Sequence, residues 1–255
     1  MDLGLSGLRA AVTGATRGIG RATAELLAEE GADVAICARR ADAVAETVEA
    51  LEARGVQAMG EAVDLARPGV ALKRWLDRAA ERFGGLDIVV INVSGGGGMT
   101  DEIGWRTNFE VDLMGAVRTA EAALPHLARS HNGAMVMVAS IAAVEDFGGV
   151  QAYNSMKAAL INYAANQSQA LAGQGIRVNS VSPGVTLCPG GVWDQVRQQM
   201  PDQFQATAAR VPLGQRFARP TEIARTIAFL ASPASCYTTG TNVVVDGGLT
   251  RRVQY

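Results

Sequence analysis

Short apolar runs alternate along the chain with longer segments in which apolar residues recur at helical spacing. The runs are nearly continuous, which is typical of parallel strands covered on both faces. The predicted strands are Leu8–Val12, Asp33–Ala38, Gln57–Val63, Leu86–Ile91, Ala134–Ala139, Arg177–Ser182 and Asn242–Val245. The predicted helices are Ile19–Glu30, Ala41–Arg54, Val70–Phe83, Trp105–Ser130, Tyr153–Gly173 and Thr221–Ala231. This alternation predicts an α/β fold with a doubly wound parallel sheet of about seven strands and helices on both faces.

Glycine and polar residues follow the predicted strands. In such sheets, ligands bind beyond the carboxyl ends of the strands, where the strand order reverses. The residues found there are Gly14, Asp64, Asn92, Ser140 and Pro183. No repeat or low-complexity linker interrupts the pattern, so we expect a single domain over residues 1–255 with one site at this edge.

Composition narrows the possible functions. The chain is 48% hydrophobic and 19% charged, with a formal net charge of −2, so no excess of basic charge favours nucleic acid or anionic membranes. No apolar run approaches the ~20 residues needed to span a bilayer, and the N-terminus lacks the features of a signal peptide. We therefore expect a cytoplasmic protein with a small-molecule substrate.

Cysteine and histidine are scarce. Three cysteines and two histidines are too scattered for a disulfide framework or a C-x-x-C metal site. No metal site is predicted.

The first strand leads into a glycine-rich turn. Gly14, Gly18 and Gly20 form G-x-x-x-G-x-G ahead of a predicted helix. Backbone N–H groups and the positive end of the helix dipole can hold an anion there, and glycine lets a phosphate approach closely. The spacing differs from G-x-G-x-x-G, so the turn alone is also compatible with an ordinary glycine-rich loop.

Tyr153 and Lys157 are four residues apart on a predicted helix and therefore share a face. A fixed cation beside a phenol stabilises its phenolate and makes it useful in proton transfer near neutral pH. Ser140 supplies a hydroxyl that can hold a substrate oxygen. This trio indicates acid–base chemistry on a carbon–oxygen bond.

Together these motifs resemble the short-chain dehydrogenase/reductase family, in particular carrier-protein-linked 3-oxoacyl reductases. The segment Thr13–Gly20 is similar to the T-G-x-x-x-G-I-G turn of that family, and Asn92–Gly95 to its N-N-A-G segment. The resemblance implies a Rossmann-type fold and a catalytic trio of Ser140, Tyr153 and Lys157. It also implies cofactor contacts from Gly14, Thr16, Arg17, Gly18, Ile19, Gly20, Asp64, Leu65, Asn92, Gly95, Tyr153, Lys157, Pro183, Gly184, Val185 and Thr186.

The residues after the second strand bear on which dinucleotide is bound. NAD enzymes usually carry an acid there, which accepts a hydrogen bond from the ribose 2′-OH. Here Ala38 is followed by Arg39 and Arg40. Guanidinium groups suit a 2′-phosphate. We therefore predict NADP(H), with Arg39 and Arg17 at the phosphate and Arg40 as an alternate.

Two positions depart from the family pattern. Asp112 stands where an asparagine usually supports a proton relay; we expect it to replace that residue, with Asn108 one turn earlier as the alternative. Cys188 stands where a threonine often contacts the nicotinamide. We interpret Cys188 as a packing substitution, with the Val185 backbone or Thr186 making the contact.

The resemblance implies reduction of a ketone or 3-oxoacyl carbonyl by NADPH. Alternatives are an NADP-dependent secondary-alcohol dehydrogenase and a weakened dinucleotide-binding regulator. Residues 189–211 are predicted to form a helical flap over the substrate, with Trp193, Met200 and Phe204 either contacting it or packing on the sheet. By analogy with the family, we predict a homotetramer.

Overall fold

The computed structural model describes residues 2–67 and 69–251. Its strands are β1 (Arg9–Thr13), β2 (Asp33–Ala38), β3 (Ala58–Ala62), β4 (Ile88–Ile91), β5 (Ala134–Val138), β6 (Arg177–Pro183) and β7 (Asn242–Val245). They form one parallel sheet in the order β3-β2-β1-β4-β5-β6-β7. The predicted doubly wound parallel sheet is confirmed.

The helices in the described part of the chain connect successive strands or follow them. They are α1 (Gly18–Glu29), α2 (Ala41–Glu52), α3 (Val70–Phe83), α4 (Glu102–Asn108), α5 (Gly115–Leu127), α6 (Ala152–Leu171), α7 (Val192–Gln199), α8 (Pro201–Ala209) and α9 (Pro220–Ala231). A π-helical segment (Phe109–Met114) joins α4 to α5.

Two hydrophobic layers cover the sheet. Along β1, Ala11 packs with the layer that contains Trp75 of α3, while Val12 packs with the layer that contains Leu27 of α1. Successive side chains of a strand point to opposite faces. Since both faces of the inner strands are buried, their sequences are apolar at almost every position.

The strand order reverses at β1, which lies between β2 and β4. Val12 of β1 is in register with Ile36 of β2 and with Val90 of β4. The chain leaves β1 and β4 toward different sides of the sheet, which opens a crevice at their carboxyl ends. The glycine-rich turn lies in this crevice.

The predicted single helix Trp105–Ser130 is wrong in detail. The structure has α4, the π-helical segment and then α5, which ends at Leu127. The wider π turn accommodates an extra residue and rotates the side chains that follow it. Asp112 is only 1% exposed, whereas Phe109 is 43% exposed.

The flap segment is two short helices, α7 and α8, which break at Met200. Pro201 is the first residue of α8; it lacks an N–H and disfavours helical geometry in the residue before it. Phe204 stacks on Phe217 with ring centroids 4.2 Å apart, and Trp193 lies 5.0 Å from the same ring. The three aromatic rings attach the flap to the domain.

Among residues 2–67 and 69–251, no helix is long and apolar enough to cross a membrane.

Candidate active site

A cleft of about 460 Å³ opens at the carboxyl edge of the sheet. The ends of β4, β5 and β6 form its floor, and α6 and α7 flank it. Of the predicted site residues, it brings together Ile19, Asn92, Ser140, Tyr153, Lys157, Pro183, Gly184, Val185 and Thr186. The remaining predicted residues lie outside the cleft wall, and several of them support it.

Tyr153 and Lys157 project from the first turns of α6. The Lys157 Nζ lies 5.7 Å from the centre of the Tyr153 ring. The lysine is 2% exposed, and its Nζ donates to the Val138 carbonyl oxygen at 3.0 Å. The cation is therefore held in place beside the phenol, as the spacing predicts.

Ser140 follows β5 and is 9% exposed. Its Oγ accepts from the Ala142 backbone N–H at 3.2 Å, at the start of a short 3₁₀ turn. Because the oxygen acts as acceptor in this bond, the hydroxyl proton is left to donate into the cleft.

Asp112 lies next to Lys157. One carboxylate oxygen, Oδ1, is 3.1 Å from the Lys157 Nζ, and the side chain of Asp112 is fully buried. The other oxygen, Oδ2, accepts from the Gly95 backbone N–H at 3.0 Å and from the Asn108 side chain at 2.7 Å. Asp112 thus connects the lysine to the glycine-rich loop after β4.

Asn108 belongs to the same buried network and was proposed only as an alternative. Its Nδ2 also donates to the Gly96 carbonyl oxygen at 2.9 Å, while its Oδ1 has no hydrogen-bond partner among the described residues. The structure therefore brings Asp112 and Asn108 together. They are joined to each other rather than being interchangeable.

The glycine turn has the geometry of an anion cradle. Gly14 and Gly18 have φ of +64° and +57°, values that L side chains rarely adopt. A Cβ on Gly20 would lie 2.4 Å from the Gly14 carbonyl oxygen and 2.3 Å from the Asn92 Nδ2. The N-cap residue, Arg17, makes no side-chain hydrogen bond to the start of α1, and among the first N–H groups of this helix that of Ile19 faces the Cys188 thiol.

Asn92 holds this turn closed. Its Nδ2 donates to the carbonyl oxygens of Thr13 and Gly14 at 3.2 and 3.1 Å. Its backbone N–H donates to the Thr13 Oγ1 at 3.0 Å. Thr13 was not predicted to be a site residue, although its position directly before Gly14 could have indicated that it supports the glycine-rich turn. Thr16 is half-buried in the same turn.

The three arginines proposed for NADP(H) are all exposed, but they differ in their partners. The Arg40 Nε donates to Asp42 at 3.1 Å, and hydrogen bonding from Arg40 holds the pKa of Asp42 at about 2. Arg17 donates to the Gly190 carbonyl oxygen at 3.3 Å. Arg39 has no ion-pair partner among the described residues. The charge of Arg40 is already balanced, so it is the weakest of the three candidates.

Asp64 and Leu65 follow β3, as predicted. Asp64 is 39% exposed at its side chain; it accepts from the Ala66 N–H at 3.1 Å and lies 3.3 Å from the Arg67 Nε. Leu65 is buried in the hydrophobic layer, so only its backbone is available to a ligand.

The Pro183–Thr186 segment lies opposite the glycine turn. The Thr186 hydroxyl donates to the Gly184 carbonyl oxygen at 3.0 Å, and Val185 is buried at its side chain. A Cβ on Gly18 would lie 3.1 Å from the Cys188 Sγ, so the thiol sits against the start of α1. Burial raises the pKa of Cys188, although the Ile19 N–H and the Arg17 charge act in the opposite direction.

Gln151, which the sequence did not single out, joins two loops of the cleft. Its Oε1 accepts from the Gly98 N–H at 2.6 Å and its Nε2 donates to the Gly148 carbonyl oxygen at 2.8 Å. Gln151 and Gly98 are 53 residues apart in sequence, so no local sequence pattern predicts their hydrogen bond.

Comparison with known proteins identifies the family. The sequence model described as enoyl-(acyl carrier protein) reductase matches residues 14–250. The chain belongs to the short-chain dehydrogenase/reductase family. This short-chain dehydrogenase/reductase is accordingly an oxidoreductase acting on an alcohol or carbonyl group, and the predicted resemblance is confirmed.

Three proteins illustrate the match. Isoepoxydon dehydrogenase of Penicillium expansum is 34% identical, over 98% of this chain and 97% of its own. The cis-4-hydroxycyclohexanecarboxylate dehydrogenase of Sinomonas cyclohexanicum is 39% identical, over 94% and 96%. The crystal structure of L-sorbose reductase from Gluconobacter frateurii, complexed with NADPH and L-sorbose, superposes with a TM-score of 0.91 at 32% identity, over 99% and 100%.

Proposed function

We propose that this enzyme reduces a ketone with NADPH, with Tyr153 as the proton donor. The observation that carries the proposal is the position of Lys157, which is buried beside the Tyr153 ring and lines the same cleft as Ser140. A cation fixed next to a phenol, with a hydroxyl in the same cleft, suits protonation of a carbonyl oxygen.

We propose NADP(H) as the cofactor, at the carboxyl edge of the sheet. The similar L-sorbose reductase was crystallised with NADPH. The uncapped start of α1 suits the diphosphate, and the exposed guanidinium groups of Arg39 and Arg17 suit the 2′-phosphate. The other proposed contacts are Gly14, Thr16, Gly18, Ile19, Gly20, Asp64, Leu65, Asn92, Gly95, Tyr153, Lys157, Pro183, Gly184, Val185 and Thr186. Bound there, NADPH would supply the hydride.

The protein residues would transfer the proton and stabilise the negative charge that develops on the carbonyl oxygen. Ser140 donates to the carbonyl oxygen, which stabilises negative charge as the hydride arrives. Tyr153 then transfers its proton to that oxygen. Lys157 has three N–H donors, of which one donates to the Val138 carbonyl oxygen, while the Asp112 carboxylate lies 3.1 Å from the Nζ as an ion pair without a hydrogen bond. A remaining donor is available for the nicotinamide ribose.

The reverse reaction, oxidation of a secondary alcohol with NADP, uses the same residues. The non-enzymatic alternative is a regulatory protein that binds the dinucleotide without turnover.

We also propose that α7 and α8 cover the substrate and that the chain forms a homotetramer. Light scattering should then give four times the mass of one chain, and the mass of a single chain would contradict this.

The test is a screen of ketones with NADPH, followed at the nicotinamide absorbance, with the Tyr153→Phe variant run in parallel. Loss of a positioned general acid costs about 10²–10⁴-fold in rate. We expect the variant to lose at least 10²-fold in kcat while NADPH affinity, measured by fluorescence, changes less than threefold. NADPH binding without turnover of any ketone would instead support the regulator.

A further inference from the structure

The substrate half of the cleft is almost entirely uncharged. The apolar side chains that line the cleft include Ile141, Phe147, Val192, Trp193 and Val196, which present carbon surface. The glycine loop after β4 contributes Gly96–Gly98, which have no side chains. The body of the substrate would therefore contact apolar groups.

Most polar side chains in this half already bond to the protein. Both ends of the Gln151 amide are engaged by Gly98 and Gly148. The Asn154 Nδ2 donates to the Phe147 and Gly149 carbonyl oxygens at 3.1 Å each. The Ser94 Oγ accepts from the Gly96 N–H at 3.0 Å.

One amide differs from the others. Gln203 of α8 is exposed, lines the cleft and makes no side-chain hydrogen bond to another described residue. It is therefore free to bond to a polar group at the outer end of a substrate. An amide offers both a donor and an acceptor but no charge.

Positive charge is scarce around this pocket. Among the described residues that line the cleft, Lys157 is the one charged side chain, and Asp112 lies 3.1 Å from it. On the flap, Arg197 lies 2.7 Å from Asp194 of the same helix. A substrate carboxylate would therefore be desolvated against apolar walls, and the described residues that line the cleft offer it no unpaired cation, which is strongly unfavourable.

We propose that this enzyme selects uncharged ketones and discriminates against anionic ones, with Gln203 as the outer specificity contact. This inference rests on the proposed ketone reductase function and deepens it.

The first experiment compares two ketones of nearly equal size. Initial rates with NADPH at pH 8 are measured for 4-oxocyclohexanecarboxamide and 4-oxocyclohexanecarboxylate, with cyclohexanone as a common reference. We expect kcat/KM to be at least tenfold higher for the carboxamide. Equal values, or a preference for the carboxylate, would overturn the inference while leaving the reductase function intact. Turnover of none of a broad ketone panel would instead refute the reductase function itself.

The second experiment tests Gln203 directly. In Gln203→Arg, a guanidinium at the outer end should raise the carboxylate-to-carboxamide ratio of kcat/KM at least tenfold. Gln205→Arg is the matched control, because Gln205 is exposed on the same helix and does not line the cleft. The control should keep the wild-type ratio. An unchanged ratio in Gln203→Arg, or equal increases in both variants, would refute the role of Gln203.

Discussion

Asp112 and Lys157 form a buried ion pair, with 3.1 Å between carboxylate Oδ1 and ammonium Nζ and side-chain exposures of 0% and 2%. The same lysine lies 5.7 Å from the centre of the Tyr153 ring. The charge that acts on the tyrosine is therefore partly balanced from the opposite side. An asparagine at this position would leave that charge unbalanced.

We expect Asp112→Asn to change the pH–rate profile of ketone reduction. Removing the carboxylate leaves the charge of Lys157 beside the Tyr153 ring without its balancing partner, which alters the electrostatics of proton transfer. Steady-state kcat/KM between pH 5 and 10 would measure this. Glu102→Gln is the control, because Glu102 is exposed and pairs with Arg106 on α4. A profile unchanged in Asp112→Asn would remove Asp112 from the proposed mechanism.

Arg39→Ala should weaken NADPH binding by about tenfold or more, because a hydrogen bond to a charged group contributes about 1.5–3 kcal/mol. NADH, which lacks the 2′-phosphate, should bind as before. Isothermal titration with both nucleotides would measure the difference. Arg40→Ala is the matched control, since the Arg40 guanidinium is hydrogen-bonded to Asp42. An equal loss of NADPH affinity in Arg39→Ala and Arg40→Ala would contradict a specific role of Arg39 at the 2′-phosphate.

Gly20→Ala should impair both folding and cofactor binding. The added Cβ would lie 2.4 Å from the Gly14 carbonyl oxygen, a backbone atom, so the turn itself must shift. We expect a destabilisation of about 1–3 kcal/mol by urea denaturation, as is typical of overpacking. Gly173→Ala is the control, because a Cβ there meets no atom within 4 Å. Wild-type stability and NADPH affinity in Gly20→Ala would contradict this close approach.

Asp87 should contribute stability that depends on pH. Burial alone would raise its pKa, but hydrogen bonds from Arg9 and Ser130 outweigh it, so the folded-state pKa is lowered. The contribution is therefore fully present above the unfolded pKa of about 3.9 and is lost as pH falls through the lower folded value.

The measurement is urea unfolding of wild type and Asp87→Asn between pH 2 and 7. The variant should be less stable at pH 7, and the difference should shrink toward pH 2. Asp202→Asn removes an exposed carboxylate and should follow the wild type throughout. A constant difference between Asp87→Asn and wild type across this range would contradict the linkage.

Much of the fold could be predicted because strands and helices leave local sequence patterns, namely apolar runs and helical periodicity. The apolar run Asp33–Ala38 is a strand over the predicted residues, and α3 spans the predicted Val70–Phe83. The predicted helix Trp105–Ser130 matched the structure less well. Its local pattern does not indicate that Phe109–Met114 is π-helical, and within this segment Asp112 contacts Lys157 and Gly95, which are distant in sequence.

Some residues of the candidate site could likewise be predicted from local sequence, and others could not. Tyr153 and Lys157 could be paired from their spacing, because one turn of helix determines which side chains share a face. The roles of Asn92 and Gln151 could not. Asn92 bonds to the Gly14 carbonyl oxygen across 78 residues, and Gln151 bonds to Gly98 across 53. Such contacts exist only after the strands have assembled.

By itself, the sequence determined the parallel sheet, the edge where the site lies and the helical face that carries the tyrosine and the lysine. Those features follow from periodicity and chain direction, which are properties of neighbouring residues. Tertiary structure alone decided that Asp112 faces Lys157, that Arg40 is paired with Asp42 and that the Gln203 side chain has no hydrogen-bond partner among the described residues. Side-chain partners depend on distances between elements, and packing sets those distances.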